Sequence, residues 1–280
     1  MNIINAIINL VNNPVTELQD YYNSRNRANS MGDSLEEYIK DLFANTFDCN
    51  SEPVRLKKIQ ENFSYLGNNS NPPDGMLQNG DAIEIKKIES NNAALALNSS
   101  YPKQKLFSDS PMISKACKTA EYWTEKDIIY SVGIVSGKKL KHLCFVYGLD
   151  YAASNETYTR IKETIKLGVE DIPEVEFAET KELGRVNRVD PLGITYLRVR
   201  GMWGIENPWT VFNYIYTRNI SKDFNFMCII NDKKWETLSN TAELESLECS
   251  VEGLIIENVK VKNPDNPAQL RNAKLIQFSI

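Results

Sequence analysis

The chain holds a single histidine, His142, and it lies in the apolar run Leu140 to Tyr147. Imidazole chemistry is therefore close to excluded, because a lone histidine in such a run is far more often a strand residue than a base. The five cysteines (Cys49, Cys117, Cys144, Cys228, Cys249) are odd in number, widely spaced and without a CxxC pair. They fit free thiols in a reducing cytoplasm and argue against a zinc site or a disulfide frame. No apolar run approaches the ~20 residues that a membrane helix needs. Met1 to Val11 is apolar, but asparagines break it and no basic residue precedes it, so a signal peptide is not expected. A basic excess is missing too, since the formal net charge is −5. That balance speaks against a nucleic-acid partner only on average, because a binding cleft needs just a local positive field.

What remains is ordinary globular material: 280 residues, 42% hydrophobic and 25% charged. Such a chain buries a full core and is not disordered. No internal repeat or long linker divides it, so residues 1–280 are expected to form one domain. Apolar positions 3, 4, 7, 8, 10 and 11 predict a short amphipathic helix stopped near Pro14. A second helix is expected from about Gly32 to Asp33, capped by Asp33 or Ser34, with Leu35, Tyr38, Ile39, Leu42 and Phe43 on its apolar face. Glu36 falls at the margin of that face, and Glu37 is expected to point with Lys40 and Asp41 to solvent. Residues 66–73 read as a loop. Lys115 to Lys126 has helical spacing, Asp127 to Val135 and Leu140 to Gly148 read as a hairpin around Gly137, and Thr157 to Leu167 as a charged helix.

The stretch with chemistry in it is Asn71 to Ile88. Alternation from Ala82 to Ile88 puts Glu84 and Lys86 on one strand face and Ile83 and Ile85 on the other. Asn79-Gly80 marks a hairpin turn. A three-residue loop of Gln78, Asn79 and Gly80, with the glycine left-handed, pairs Leu77 with Asp81 and so sets Asp74 beside Glu84. A two-residue loop would instead throw Asp74 to the opposite face. The three-residue loop is preferred, because two carboxylates converging beside a lysine make an oxygen-ligand site for a divalent cation of the Mg²⁺ type. The lysine is then placed to orient a water. The short pattern taken alone fits a solvated surface hairpin equally well.

A second informative stretch runs from Glu179 to Tyr216 and carries Lys181, Arg185, Arg188, Arg198 and Arg200. In Ile194 to Gly201, alternation puts Tyr196, Arg198 and Arg200 on one face and packs Leu197 and Val199 inward. Two arginines so spaced can each take a guanine in bidentate fashion, although a salt-bridged sheet face uses the same residues. The segment Asn98, Ser99, Ser100 to Lys103 is polar with one lysine, suited to phosphate contacts or to a turn.

Pro73-Asp74, nine residues, then Glu84-Ile85-Lys86 resembles the PD-(D/E)xK nuclease core. The longer stretches Ser64 to Asp74, Gly80 to Glu84, Ala94 to Ser100, Glu182 to Pro191 and Leu197 to Trp209 carry a wider likeness. With them the chain resembles the NgoPII-type family of type II restriction endonucleases over essentially its whole length. That resemblance implies an α/β fold with a restriction-endonuclease-like core, a mixed central β-sheet flanked by helices. The catalytic core would span about residues 30–150 and a DNA-recognition elaboration about 179–280. It further implies cleavage of double-stranded DNA at GGCC with Mg²⁺, and a cognate cytosine methyltransferase that shares the site. Asp74 and Glu84 would be metal ligands, Lys86 would position the attacking water, and Glu36 on the preceding helix would be a weaker third carboxylate. No motif of the family marks the base-reading residues. Arg185, Arg188, Arg198 and Arg200, with Asn98, Ser99 and Lys103, are assigned to DNA from charge and alternation. A two-fold symmetric site suggests a homodimer. A structure-specific repair nuclease and a non-catalytic DNA-binding protein are the other classes open to this sequence.

Overall fold

The computed structural model describes residues 1–28, 30–68, 71–97, 100–180 and 182–280. Asn98 and Ser99, assigned above to DNA, lie outside the described residues.

In chain order α1 (Ile3–Asn12), α2 (Leu18–Asn23), α3 (Met31–Ala44) and α4 (Glu52–Asn62) lead into the hairpins β1 (Phe63–Asn68), β2 (Asn71–Leu77) and β3 (Ala82–Ile88). Short β4 (Leu95–Leu97), β5 (Lys105–Phe107) and α5 (Lys115–Lys118) precede the long pair β6 (Glu125–Ser136) and β7 (Lys139–Tyr147). Then come α6 (Gly148–Tyr151), α7 (Asn155–Glu170), β8 (Glu176–Phe177), β9 (Gly184–Asn187), β10 (Leu197–Val199), β11 (Trp203–Ile205) and α8 (Pro208–Val211). The chain closes with β12 (Asn225–Asn231), α9 (Asp232–Trp235), α10 (Thr241–Glu248), β13 (Leu254–Asn263) and β14 (Asn266–Ser279).

Among the described residues one nine-stranded sheet runs β1-β2-β3-β6-β7-β12-β14-β13, with β5 paired to β6. It is mixed: β3 with β6 and β7 with β12 are parallel, and the other pairs are antiparallel. The result is the mixed α/β architecture expected, compatible with a restriction-endonuclease-like core. Residues 225–280, assigned to a recognition elaboration in the sequence, build β12 to β14 of this same central sheet.

Alternation splits the core between the two sheet faces. Ile83, Ile129, Phe145, Phe226 and Ile276 pack against α1 and α3, while Ala82, Tyr130, Val132, Cys144 and Ile229 pack on the other side. The helix α1 is apolar on nearly all sides and buries eight residues, including Ile3, Ile4, Ile7 and Leu10. His142 is fully buried on β7, and all five cysteines are free. No helix among the described residues is long and apolar enough to cross a membrane.

Several local expectations change. The cap of α3 is Ser30, whose hydroxyl accepts the Asp33 amide, while Asp33 accepts the Ser30 amide in return. That reciprocal box satisfies two end groups, which Asp33 or Ser34 as cap would not. Asp41 does not point to solvent; it is 0% exposed and bound by Arg55, Tyr22 and Thr46. Arginines from the flanking segments neutralise it, so helical periodicity alone misplaced it. Residues 66–68 and 71–73 are strand and not loop, because β1 pairs back on β2. The helix at Lys115 ends at Lys118, and Lys126 instead starts β6, buried against Glu121 and the Gly80 carbonyl.

Candidate active site

The pairing of β2 with β3 has Gly75 opposite Ile83 and Met76 opposite Ala82. The Leu77 amide donates to the Asp81 carbonyl at 2.9 Å, which closes the three-residue loop Gln78-Asn79-Gly80. Continued by one pair, that register sets Asp74 beside Glu84, as expected. The left-handed residue, however, is Asn79 with φ 52°, and not Gly80. Asparagine tolerates that region, and the Gly80 amide is then free to bond the Leu77 carbonyl at 3.0 Å.

At the end of the ladder the Asp74 carboxylate takes over from a carbonyl: Oδ2 accepts the Ile85 amide at 2.6 Å. Lys86 Nζ lies 2.6 Å from Glu84 Oε1 and 3.8 Å from Asp74 Oδ2. One lysine thus faces two carboxylates, and Glu84 Oε2 is buried without a hydrogen-bond partner among the described residues. Burial, and then the nearby Asp74 charge, push the Glu84 carboxyl above the usual range. Burial works against charge on Lys86 too, but the Glu84 and Asp74 carboxylates outweigh it and hold the ammonium up.

This donor set fits a hard divalent cation. Two carboxylates with one lysine leave a net negative charge, and a buried carboxylate oxygen without a partner is costly until something positive meets it. Asp74 and Glu84 are the residues that would hold the ion. Glu36 comes from α3, which packs on the sheet face opposite to that of Glu84. It is half-buried, and its carboxyl is raised by burial and by Asp74 against the pull of Lys40. Among the described residues no group of three or more His, Cys, Asp or Glu side chains is arranged to hold a metal. Glu37 turns away to Arg55 at 2.5 Å and Lys40 at 2.7 Å.

Arg185 and Arg198 lie directly opposite each other on a separate small sheet, β10-β9-β8, and Arg188 and Arg200 follow just past the ends of β9 and β10. Arg185 covers the Tyr196 ring at 5.2 Å, so these three share one face. Arg198 and Arg200 are exposed but not idle: both bind Glu182. Leu197 is exposed rather than packed inward, because it starts the short edge strand β10. Arg188 adopts φ 47° and reaches Glu176 at 3.5 Å. Among the described residues no hydrogen bond or ion pair joins the four arginines to Asp74, Glu84 or Lys86. A link does exist through β11, which pairs with β4 just before Asn98. Lys103 is not on the surface; it is 6% exposed, near Glu84. Sequence reasoning missed Glu182 as a partner of the arginines, and missed Tyr130 and Lys162 near the site. None of these stands at a spacing that marks it.

Comparison with known proteins accords with this geometry. The family model described as NgoPII restriction endonuclease matches residues 1–262. The chain is 62% identical, over 281 residues and 100% of both chains, to "Type II restriction enzyme NgoPII" of Neisseria gonorrhoeae. No solved structure matches. The chain belongs to the NgoPII restriction endonuclease family and is a type II restriction endonuclease.

Proposed function

We propose that the chain, acting as a homodimer in the bacterial cytoplasm, cuts double-stranded DNA at GGCC with Mg²⁺ and leaves 5′-phosphate ends. The observation that carries this reading is the Asp74, Glu84 and Lys86 cluster, with Lys86 2.6 Å from Glu84 and a buried, unpartnered Glu84 oxygen. A cognate methyltransferase would share the site without needing to bind this protein. The chain is read as one domain whose arginine-bearing segment approaches the bases.

Bound Mg²⁺ would supply charge, neutralising the two carboxylates and polarising a phosphoryl oxygen. The residues supply position. The Ile85 amide fixes the Asp74 carboxylate, and Lys86 is held between both acids, where its ammonium can orient a water by hydrogen bonding. The water oxygen attacks phosphorus and gives up a proton to solvent, the P–O3′ bond breaks, and the departing 3′-oxygen takes a proton from solvent. Glu36 is read as an outlying carboxylate that adds to the negative field around Asp74.

The test is digestion of an unmethylated plasmid with Mg²⁺ beside Asp74→Ala, with sequencing of the ends. Discrete fragments ending at GGCC, absent in the variant, are the expected result. Cutting by structure or at random would place the chain with repair nucleases, and selective binding without cutting would leave a DNA-binding module.

A further inference from the structure

We propose that Lys103 is a second ammonium of the active centre, which donates a hydrogen bond to a non-bridging oxygen of the scissile phosphate and stays protonated throughout. The proposal rests on the hydrolytic reading above and deepens it.

Lys103 is 6% exposed, yet among the described residues its ammonium has no ion pair and no hydrogen bond. The ammonium lies 4.7 Å from the centre of the Tyr101 ring. The side chain is largely covered, and its ammonium keeps spare donors where it lines a cleft, so the position makes sense for an anion that arrives later. Its placement is built. Glu84 pairs with Tyr130 on the neighbouring parallel strand. The Tyr130 hydroxyl accepts the Lys103 amide at 2.6 Å and lies 3.3 Å from its carbonyl. On the far side Gly148 lets the chain pass: a Cβ there would collide with the Lys103 carbonyl and come within 2.7 Å of that of Gln104. The Lys103 backbone is thereby fixed against Tyr130, the strand partner of Glu84, the preorganisation that a phosphate contact needs.

The cleft that Lys103 lines has a volume of about 540 Å³ and is shared by Lys105, Lys162 and Lys166. Lys162 and Lys166 are one turn apart on α7, so they present charge along one wall. Asp109, Glu156 and Glu163 also line it, but none makes an ion pair with Lys103. Burial, with Lys162 nearby, pulls the Lys103 ammonium down to about 8 against the opposing pull of Glu84, and a bound phosphate would restore it.

The test uses the full-length protein and a cognate duplex whose cut position has been mapped with the wild type. Binding is measured in EDTA for wild type, Lys103→Met and Lys103→Gln, on ordinary DNA and on DNA with one uncharged methylphosphonate at the scissile position. Single-turnover cleavage with Mg²⁺ is measured on ordinary DNA. Lys103→Met is expected to slow cleavage roughly tenfold or more, with Lys103→Arg recovering part of the rate. The loss in affinity from Lys103→Met and that from the methylphosphonate should fail to add, because both remove one contact. Additive losses, pairing with a flanking phosphate instead, or wild-type cleavage by Lys103→Met would overturn the proposal. Lys103→Gln carries the same comparison if the Met variant does not fold. If Asp74→Ala cuts as fast as wild type, the hydrolytic reading fails, and that outcome is separate from the phosphate pairing measured in EDTA.

Discussion

Glu182 grips Arg198 with both carboxylate oxygens, at 3.0 Å to Nε and 2.5 Å to Nη2. Its Oε1 also accepts Arg200 Nε at 2.8 Å. The bond to Arg198, helped by Arg200, holds the Glu182 carboxyl below the usual range. Two guanidiniums proposed to meet DNA are therefore oriented, and partly neutralised, by one acid in the free protein.

Removing that acid should free both cations. Glu182→Gln is expected to tighten binding to random DNA more than to GGCC, and to steepen the salt dependence of binding by roughly one unit of log–log slope. Arg198→Ala should lower discrimination at one base pair by ~1–3 kcal/mol if it reads guanine. Titrations of cognate and random duplexes across a salt series distinguish the cases. Equal losses on both duplexes would make Arg198 a phosphate contact.

Gly67 on β1 lies tightly against the β2 backbone at Pro73 and Asp74. A Cβ there would collide with the Pro73 carbonyl and lie 2.8 Å from Asp74 Cα, both backbone atoms that cannot swing aside. Gly67→Ala should displace Asp74 and cut the cleavage rate by roughly 100-fold, the scale of a 1 Å misplacement. Single-turnover rates beside circular dichroism would show activity falling further than folding.

Arg55 is 1% exposed and binds Asp41 at 2.6 Å, Glu37 at 2.5 Å and Glu52 at 2.9 Å. Arg55→Met would strand the Asp41 carboxylate in the core with Arg27 no nearer than 3.8 Å. The expected cost is about 3–5 kcal/mol of stability. Urea unfolding measures it, and a loss below about 1 kcal/mol would mean that the pair is solvated as a surface bridge is.

His142 is buried, with Tyr216 2.9 Å from Nε2 and, among the described residues, no partner for Nδ1. Burial, with Arg218 nearby, pulls its imidazole down to about 3. Between that value and the unfolded value near 6.5, the unfolded chain binds the extra proton, so stability is full above ~6.5 and falls as pH drops. The loss from this group should be about 2 kcal/mol at pH 5. Denaturant midpoints from pH 8 to 4.5 check this, and His142→Phe should flatten the slope in that window.

The hairpin that carries Asp74, Glu84 and Lys86 was legible because its logic is local. Period-2 alternation and a turn of countable length set Glu84, Lys86 and Asp74 together, with no information needed from elsewhere in the chain. The same locality explains the helices at residues 3–12 and 155–170 and the hairpin around Gly137. What the tertiary structure alone decided is which charges are covered and by whom. Asp41 is sealed by Arg55 fourteen residues away, Arg198 is held by Glu182 sixteen residues before it, and the Lys103 backbone is held between Tyr130 and Gly148. Residues 225–280 likewise join the central sheet through the pairing of β12 with β7, far away in the sequence. Alternation determines the side of a strand to which a residue points, whereas burial depends on what distant segments bring to that side.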